Sequence, residues 1–276
     1  MTGEAAREAS GPERLDKGLF GPESVTWRVH GDPAMLIGGL RAILVQALNP
    51  LAMAAIDQHS DYRVDPWGRL QRTSEYVLTT TFGDTEAATR AGAAVRLIHG
   101  RVRGTDPHTG REYRADDPDL LAWVHNVEVH SFLTAYRRYG GRLPDADADR
   151  YVAEMVAAAE LVGLAPAAVP HDLARLRAAL RAAPLDLSPA ARRGLRVVLA
   201  PPMPLAVRPL WAIPTAATIA ILPHAVRRAY RLPWAPVAGA AVRPAVFSLL
   251  RAMNLARPGP PHRLEAERRL GGETAA

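Results

Sequence analysis

The chain of 276 residues contains no cysteine. That excludes disulfides, thiolate zinc sites, iron–sulfur clusters, thiolate-ligated haem and covalent c-type haem attachment. Lys17 is the only lysine, so the basic side is almost wholly arginine. The arginines are spread along the chain rather than gathered into a basic run. The net charge of +6 therefore reads as compositional bias and not as a nucleic-acid footprint. Aromatics make up only 6%, against 48% hydrophobic residues in all. The core must be built from Ala, Leu and Val, which favours packed helices over a β-sandwich. No clean apolar run reaches membrane-spanning length. Residues 34–56 are interrupted by Arg41, Gln46, Asn49 and Pro50, and 204–221 by Arg208, Pro209 and Pro214. The start is polar, without a signal-like apolar region, which points to the cytoplasm and leaves peripheral contact with a membrane open. His-Glu-x-x-His, Gly-x-Ser-x-Gly, Gly-x-Gly-x-x-Gly and Glu-x-x-His are all missing, so zincin, α/β-hydrolase, Rossmann and carboxylate di-iron readings have no motif behind them.

What is present is helical. The expectation is an all-α fold, one domain of nine or ten helices over residues 25–256, between flexible tails at 1–24 and 257–276. Helices are expected after Asp32-Pro33 up to Asn49-Pro50, from Pro66 to Phe82, from an Asp84 cap to near Gly104, and from Asp117-Pro118 to Gly140-Gly141. Another is expected from Pro144 to Gly163, followed by proline-punctuated pieces. The stretch 105–115 reads as a loop, and Val77–Phe82, with its three threonines, as an irregular helix end.

Three of these helices carry polar residues on faces that should be apolar. Arg69, Arg72, Thr73 and Tyr76 fall at i, i+3, i+4 and i+7, which puts them on one face. Arg96 and His99 stand three apart, with Arg103 continuing their line. His125 and Glu128 share a face beside Trp123. Spacing alone also fits solvated arginines and a plain His–Glu hydrogen bond. His130, His171 and His224 read as structural or surface residues, His108 as solvated, and His30 and His262 lie near the ends.

The order of several segments adds to this reading. These are Gly38-Gly39-Leu40-Arg41 through Asn49-Pro50, Gln58-His59-Ser60, Asp65-Pro66-Trp67-Gly68-Arg69-Leu70-Gln71-Arg72-Thr73 and Thr81-Phe82-Gly83. Val95-Arg96-Leu97-Ile98-His99-Gly100, Tyr113-Arg114-Ala115, Trp123-Val124-His125 and Asp149-Arg150-Tyr151 follow. Together they resemble the family of latex-clearing-protein and MpaB-type oxygenases. The resemblance implies an all-α, globin-like fold around haem b and its iron, and an oxidoreductase acting with O₂ on a hydrophobic, isoprenoid or lipid-like small molecule. It assigns His99 as the axial iron ligand and Arg96 as a neighbour of a haem propionate; the chain also offers Arg69, Arg72 and Arg103 as cations for two propionates. It sets Arg69, Arg72 and Thr73 on the distal side, with His125 as a second pocket residue. The chain departs from the rubber oxygenases at two positions. A lysine that can act as sixth ligand is Arg72 here, and guanidinium has no lone pair for iron. The sixth position should hold water, O₂ or nothing unless His125 or His59 reaches it. A carboxylate used as a base is replaced near Met53. The proline-broken segment 204–250 is a candidate wall for an apolar channel. The alternatives are a non-catalytic helical binding module whose Arg/His cluster holds an anion, and a non-haem metal site built from His99, His125 and Glu128.

Overall fold

In the computed structural model the described residues are 15–232, 236–256 and 259–271. Helix boundaries follow a repeated local signal. Four helices open on a capping side chain followed by proline, which needs no partner for the hydrogen it lacks. They are α3 (Pro50–His59) after Asn49, α4 (Pro66–Phe82) after Asp65, α6 (Pro118–Ala135) after Asp117 and α10 (Pro189–Leu199) after Ser188. Asn49-Pro50 both ends α2 (Met35–Gln46) and starts α3, and the chain bends there by 108°. The sequence had shown only the stop. Neither helix alone is long and apolar enough to cross a membrane, and no other described helix is.

The hub is the α2–α6 pair. Gly38 lets α2 approach Phe132 so closely that an added Cβ would lie 2.9 Å from its ring. Trp123 Nε1 donates to the Gln46 carbonyl (3.2 Å), and Gln46 Nε2 donates to the Val124 carbonyl (3.2 Å). Arg41 is 2% exposed, and its guanidinium donates to Ser131 Oγ, to the Ile221 carbonyl and to His130 Nδ1. Guanidinium only donates, so His130 Nδ1 must accept and its proton sits on Nε2. Burial, then the charges of Arg41 and Arg177, push His130 down to about 3 and keep it neutral.

Around this hub, α1 (Val25–His30) packs on α4 and on α7 (Asp145–Glu154), and α5 (Thr85–His99) packs on α4 and on α8 (Val156–Leu161). Then α9 (Leu173–Ala182) lies on α6, and α11 (Arg208–Ala220) on α2 and on α13 (Pro236–Ala256), with the short α12 (His224–Ala229) between them in sequence. His30, near the start of the chain, is buried. Thr81 Oγ1 donates to the Val77 carbonyl and so accepts from His30 Nδ1, which leaves Nε2 to accept from the Tyr151 hydroxyl.

The described residues hold fourteen α-helices, more than expected, because α1, the stretch after Asn49-Pro50 and α14 are helical and 144–163 splits at Met155. Three further expectations need correction. The helix from Asp84 ends at His99, since the chain leaves it at Gly100 for a two-stranded antiparallel hairpin, β1 (Arg103–Thr105) with β2 (Glu112–Arg114). The buried Asp106 carboxylate ties that turn by accepting from His108 N, Thr109 N and Thr109 Oγ1, with Gly110 at φ +70°. Arg103 is therefore a strand residue, not a continuation of the Arg96–His99 line. Val77–Phe82 is regular helix, because Thr80 and Thr81 turn their hydroxyls back onto the preceding turn. Part of 257–276 forms α14 (Pro261–Arg269), which packs on α4. The expected tails otherwise lie partly outside the described residues.

Candidate functional site

Three helices, α4, α5 and α6, carry the site residues. α4 and α5 form a close pair, yet neither makes extensive contact with α6. Of the polar residues singled out on these helices, Arg69 and Arg72 line an open cleft, and Arg69 lies within electrostatic reach of His99 and Glu128.

Arg69 is the centre of the site. The N-cap Asp65 starts α4 by accepting from Gly68 N, which sets Arg69 on the first turn. Its guanidinium is solvent-accessible and, among the described residues, makes no ion pair or side-chain hydrogen bond. Burial nevertheless weakens its hold on the proton, followed by the charge of Arg72, against the pull of Asp61 and Glu128. A group that water reaches although protein surrounds it lies on a concave wall, not on a convex surface. Arg69 lines an open cleft of about 430 Å³ together with His59, Ser60, Asp61 and Arg72. That volume is within the range of roughly 300–1,000 Å³ usual for ligand sites.

On the inner side of Arg69 are two half-buried groups of α6. Burial pushes the Glu128 carboxyl up to about 7, opposed by the Gln46 amide and the Arg69 charge. Burial alone pushes His125 down to about 4, so its imidazole is neutral, and it makes no hydrogen bond among the described residues. Tyr76, one turn beyond Thr73, is pushed up to about 12 by burial and then by the Glu128 charge.

On the other side stands His99, the last residue of α5. It is half-buried, and its Nδ1 is sealed from solvent without any hydrogen-bond partner. Burial first, then Arg69, lowers its pKa from the usual value, against Asp116. The ring is therefore neutral, the form in which imidazole ligates a metal.

The remaining expected residues are more occupied. Arg72 donates to both Asp61 oxygens (2.6 and 2.8 Å) and lies 3.5 Å from Asp65. Thr73 Oγ1 donates to the Arg69 carbonyl (3.0 Å), which leaves only its lone pairs to a ligand. Arg96 reaches the other way, to the Leu161 carbonyl at the end of α8, and Arg103 donates to the Gly100 carbonyl (2.8 Å). Of the four arginines expected to serve carboxylates of a cofactor, Arg69 alone leaves its guanidinium unengaged among the described residues. Met53, which falls near the point where the resemblance puts a carboxylate base, is 3% exposed and packs in the core. His59 lines the cleft mouth, 6.3 Å from the Tyr113 ring. Glu128 is the residue that spacing undervalued. Its i, i+3 relation to His125 was visible, but not the burial that brings its pKa to neutrality.

No group of three His, Asp or Glu side chains able to hold a metal occurs among the described residues, so His99, His125 and Glu128 do not converge into a three-ligand centre. A neutral imidazole without a hydrogen-bond partner, within electrostatic reach of a guanidinium that lines an open cleft, offers instead one nitrogen donor and one cation for carboxylates.

Residues 27–257 match the family described as ER-bound oxygenase mpaB/B'/Rubber oxygenase, catalytic domain. No curated protein and no solved structure matches the chain.

Proposed function

Since the chain belongs to the mpaB and rubber oxygenase catalytic-domain family, we propose that it is a haem-b-dependent oxygenase acting with O₂ on a hydrophobic, isoprenoid or lipid-like small molecule. The observation that carries this reading is His99. It is a neutral, half-buried imidazole whose Nδ1 has no partner among the described residues, close enough to Arg69 of the cleft wall to feel its charge.

His99 would hold the iron, and Arg69 would take a propionate, ahead of Arg96. Haem, when bound, supplies O₂ binding and activation. The chain's own residues do the rest. His125 stays unprotonated at neutral pH and would offer its lone pair as a second pocket residue. Glu128 is poised near pH 7, where a carboxyl can either give or take a proton. Asp61 at the cleft is engaged by Arg72, so Glu128 is the carboxyl that would replace the base for which Met53 offers no equivalent. Arg72 is held by Asp61 and Asp65 at the cleft mouth and shapes entry without offering a lone pair.

The test is the absorption spectrum of protein expressed with a haem precursor. The wild type should show a Soret band that shifts on reduction with dithionite. His99→Ala should lose it, with its thermal transition retained. Protein that stays colourless, or a His99→Ala variant that retains the full spectrum, defeats the reading.

A further inference from the structure

The acidic residues are distributed unevenly. All 28 carboxylates lie outside residues 187–264, a stretch that carries eleven arginines and none of the acids. Two of these arginines find acids elsewhere: Arg193 pairs with Asp57 and Arg263 with Glu267. Arg208, Arg228, Arg231, Arg243 and Arg251 are exposed and form no ion pair among the described residues. One-sided charge of this kind is a field with a direction.

The same stretch exposes large apolar side chains. Leu205 (73%), Val207 and Leu210 stand on the approach to α11 and its first turn, flanking Arg208. Phe247 and Leu255 (75%) stand on α13, where Arg243 lies over the Phe247 ring at 5.3 Å. The α11 approach is pinned to the cleft. Trp67, on the first turn of α4, donates from Nε1 to the Pro202 carbonyl (2.9 Å) and packs edge-on against Trp211 at 5.0 Å. Val64 (87% exposed) precedes it, between Asp61 and Arg69, two of the residues that line the cleft. An apolar lip thus borders the cleft mouth and is backed by unpaired arginines.

We propose that this lip and the arginines of α11–α13 form a docking surface for an anionic lipid bilayer, which sets the cleft of Arg69 against the membrane. Apolar side chains that insert shallowly, with cations at headgroup level, are the pairing such a surface requires. Nucleic acid would use the arginines but leave Leu205, Leu210 and Leu255 without an apolar partner. The proposal deepens the reading of a lipid-like substrate and rests on it for its purpose. Its test does not depend on haem or turnover.

Full-length protein is sedimented with vesicles of phosphatidylcholine alone and with a third of phosphatidylglycerol. Binding should be at least tenfold tighter to the anionic vesicles, and should weaken at least tenfold between 0.05 and 0.5 M salt, as the Debye length shrinks from about 14 to about 4 Å. The doubles Arg208→Glu with Arg251→Glu, and Leu205→Ser with Leu210→Ser, should each weaken anionic binding at least tenfold. Arg90→Glu, on an exposed face of α5, should leave it unchanged. Equal binding to both vesicles, no binding at low salt, variants that bind as the wild type does, or tighter binding to duplex DNA than to anionic vesicles would each overturn the proposal. A colourless protein that still binds anionic vesicles would sink the oxygenase reading and spare the surface. A haem protein that ignores vesicles would do the reverse.

Discussion

Glu128→Gln should stabilise the protein at alkaline pH and do much less in acid. The carboxyl moves from 4.5 to about 7 on folding, chiefly because burial disfavours its charge. At 1.36 kcal/mol per pH unit the charged form carries a penalty of roughly 3 kcal/mol in the folded state, trimmed to roughly 2–3 kcal/mol by partial solvent access. A raised carboxyl leaves the fold unpenalised below 4.5. Stability then falls as pH rises from 4.5 to 7, because the unfolded chain releases its proton before the folded one does, and the loss is complete above 7. Glutamine has no such proton. The advantage of the variant should therefore widen by about 2 kcal/mol between pH 5 and pH 8.

That corresponds to about 4–8 °C in melting temperature for a domain of this size. Paired thermal melts of wild type and variant at half-unit pH steps read it directly. The neutral histidines His30, His125 and His130 impose their own acid destabilisation, but they are common to both proteins and cancel in the difference. A gap that does not change with pH, or one that widens toward acid, would refute the reasoning: Glu128 would then be ordinary in its titration. A carboxyl kept at such a cost is what proton handling would demand, so the stabilised variant should also be the slower oxygenase.

Arg69→Gln should raise the His99 pKa toward its ordinary value and push Glu128 higher still, since one cation repels the first proton and attracts the second charge; imidazole titration by NMR and the Glu128 pH–stability curve read the two shifts. Gly38→Ala should cost about 1–3 kcal/mol in urea unfolding, because its Cβ would meet the Phe132 side chain and backbone at 2.9–3.1 Å. Gly39→Ala, next to it with nothing within 4 Å, should stabilise α2 by up to about 1 kcal/mol.

The helix-forming stretches were legible because caps and prolines are local signals. Asp65-Pro66, Asp84 and Asp117-Pro118 start helices wherever the tertiary structure places them. The hairpin at 103–114 was not, since three-residue strands offer no period to detect and the turn is held by Asp106, whose burial is a tertiary fact. Asn49-Pro50 was read as an end only, although the same two residues are a start: Asn49 accepts from Leu51 N and Ala52 N of the next helix. In the site, helical spacing put Arg69, Arg72 and Thr73 on one face and Arg96 with His99 on another. It could not show which arginines have partners. Arg72, Arg96 and Arg103 are engaged by groups 7 to 65 residues away or by a turn of their own, and those contacts exist only in the fold.

The pairing that remains makes Arg69 the residue through which the site is tuned. A free cation between a histidine and a carboxyl acts on both in the direction of less bound proton. It reinforces burial at His99, where losing the proton means neutrality, and opposes burial at Glu128, where losing it means charge. The imidazole is thereby kept ligand-ready while the carboxyl is held near pH 7 and not above it. An acid partner for Arg69 as tight as the one Asp61 gives Arg72 would weaken both effects at once. The open valence of this guanidinium is thus a working part of the site, available to a bound carboxylate. A ligand that claimed it would raise the pKa of Glu128 and keep more of that group protonated at the same pH.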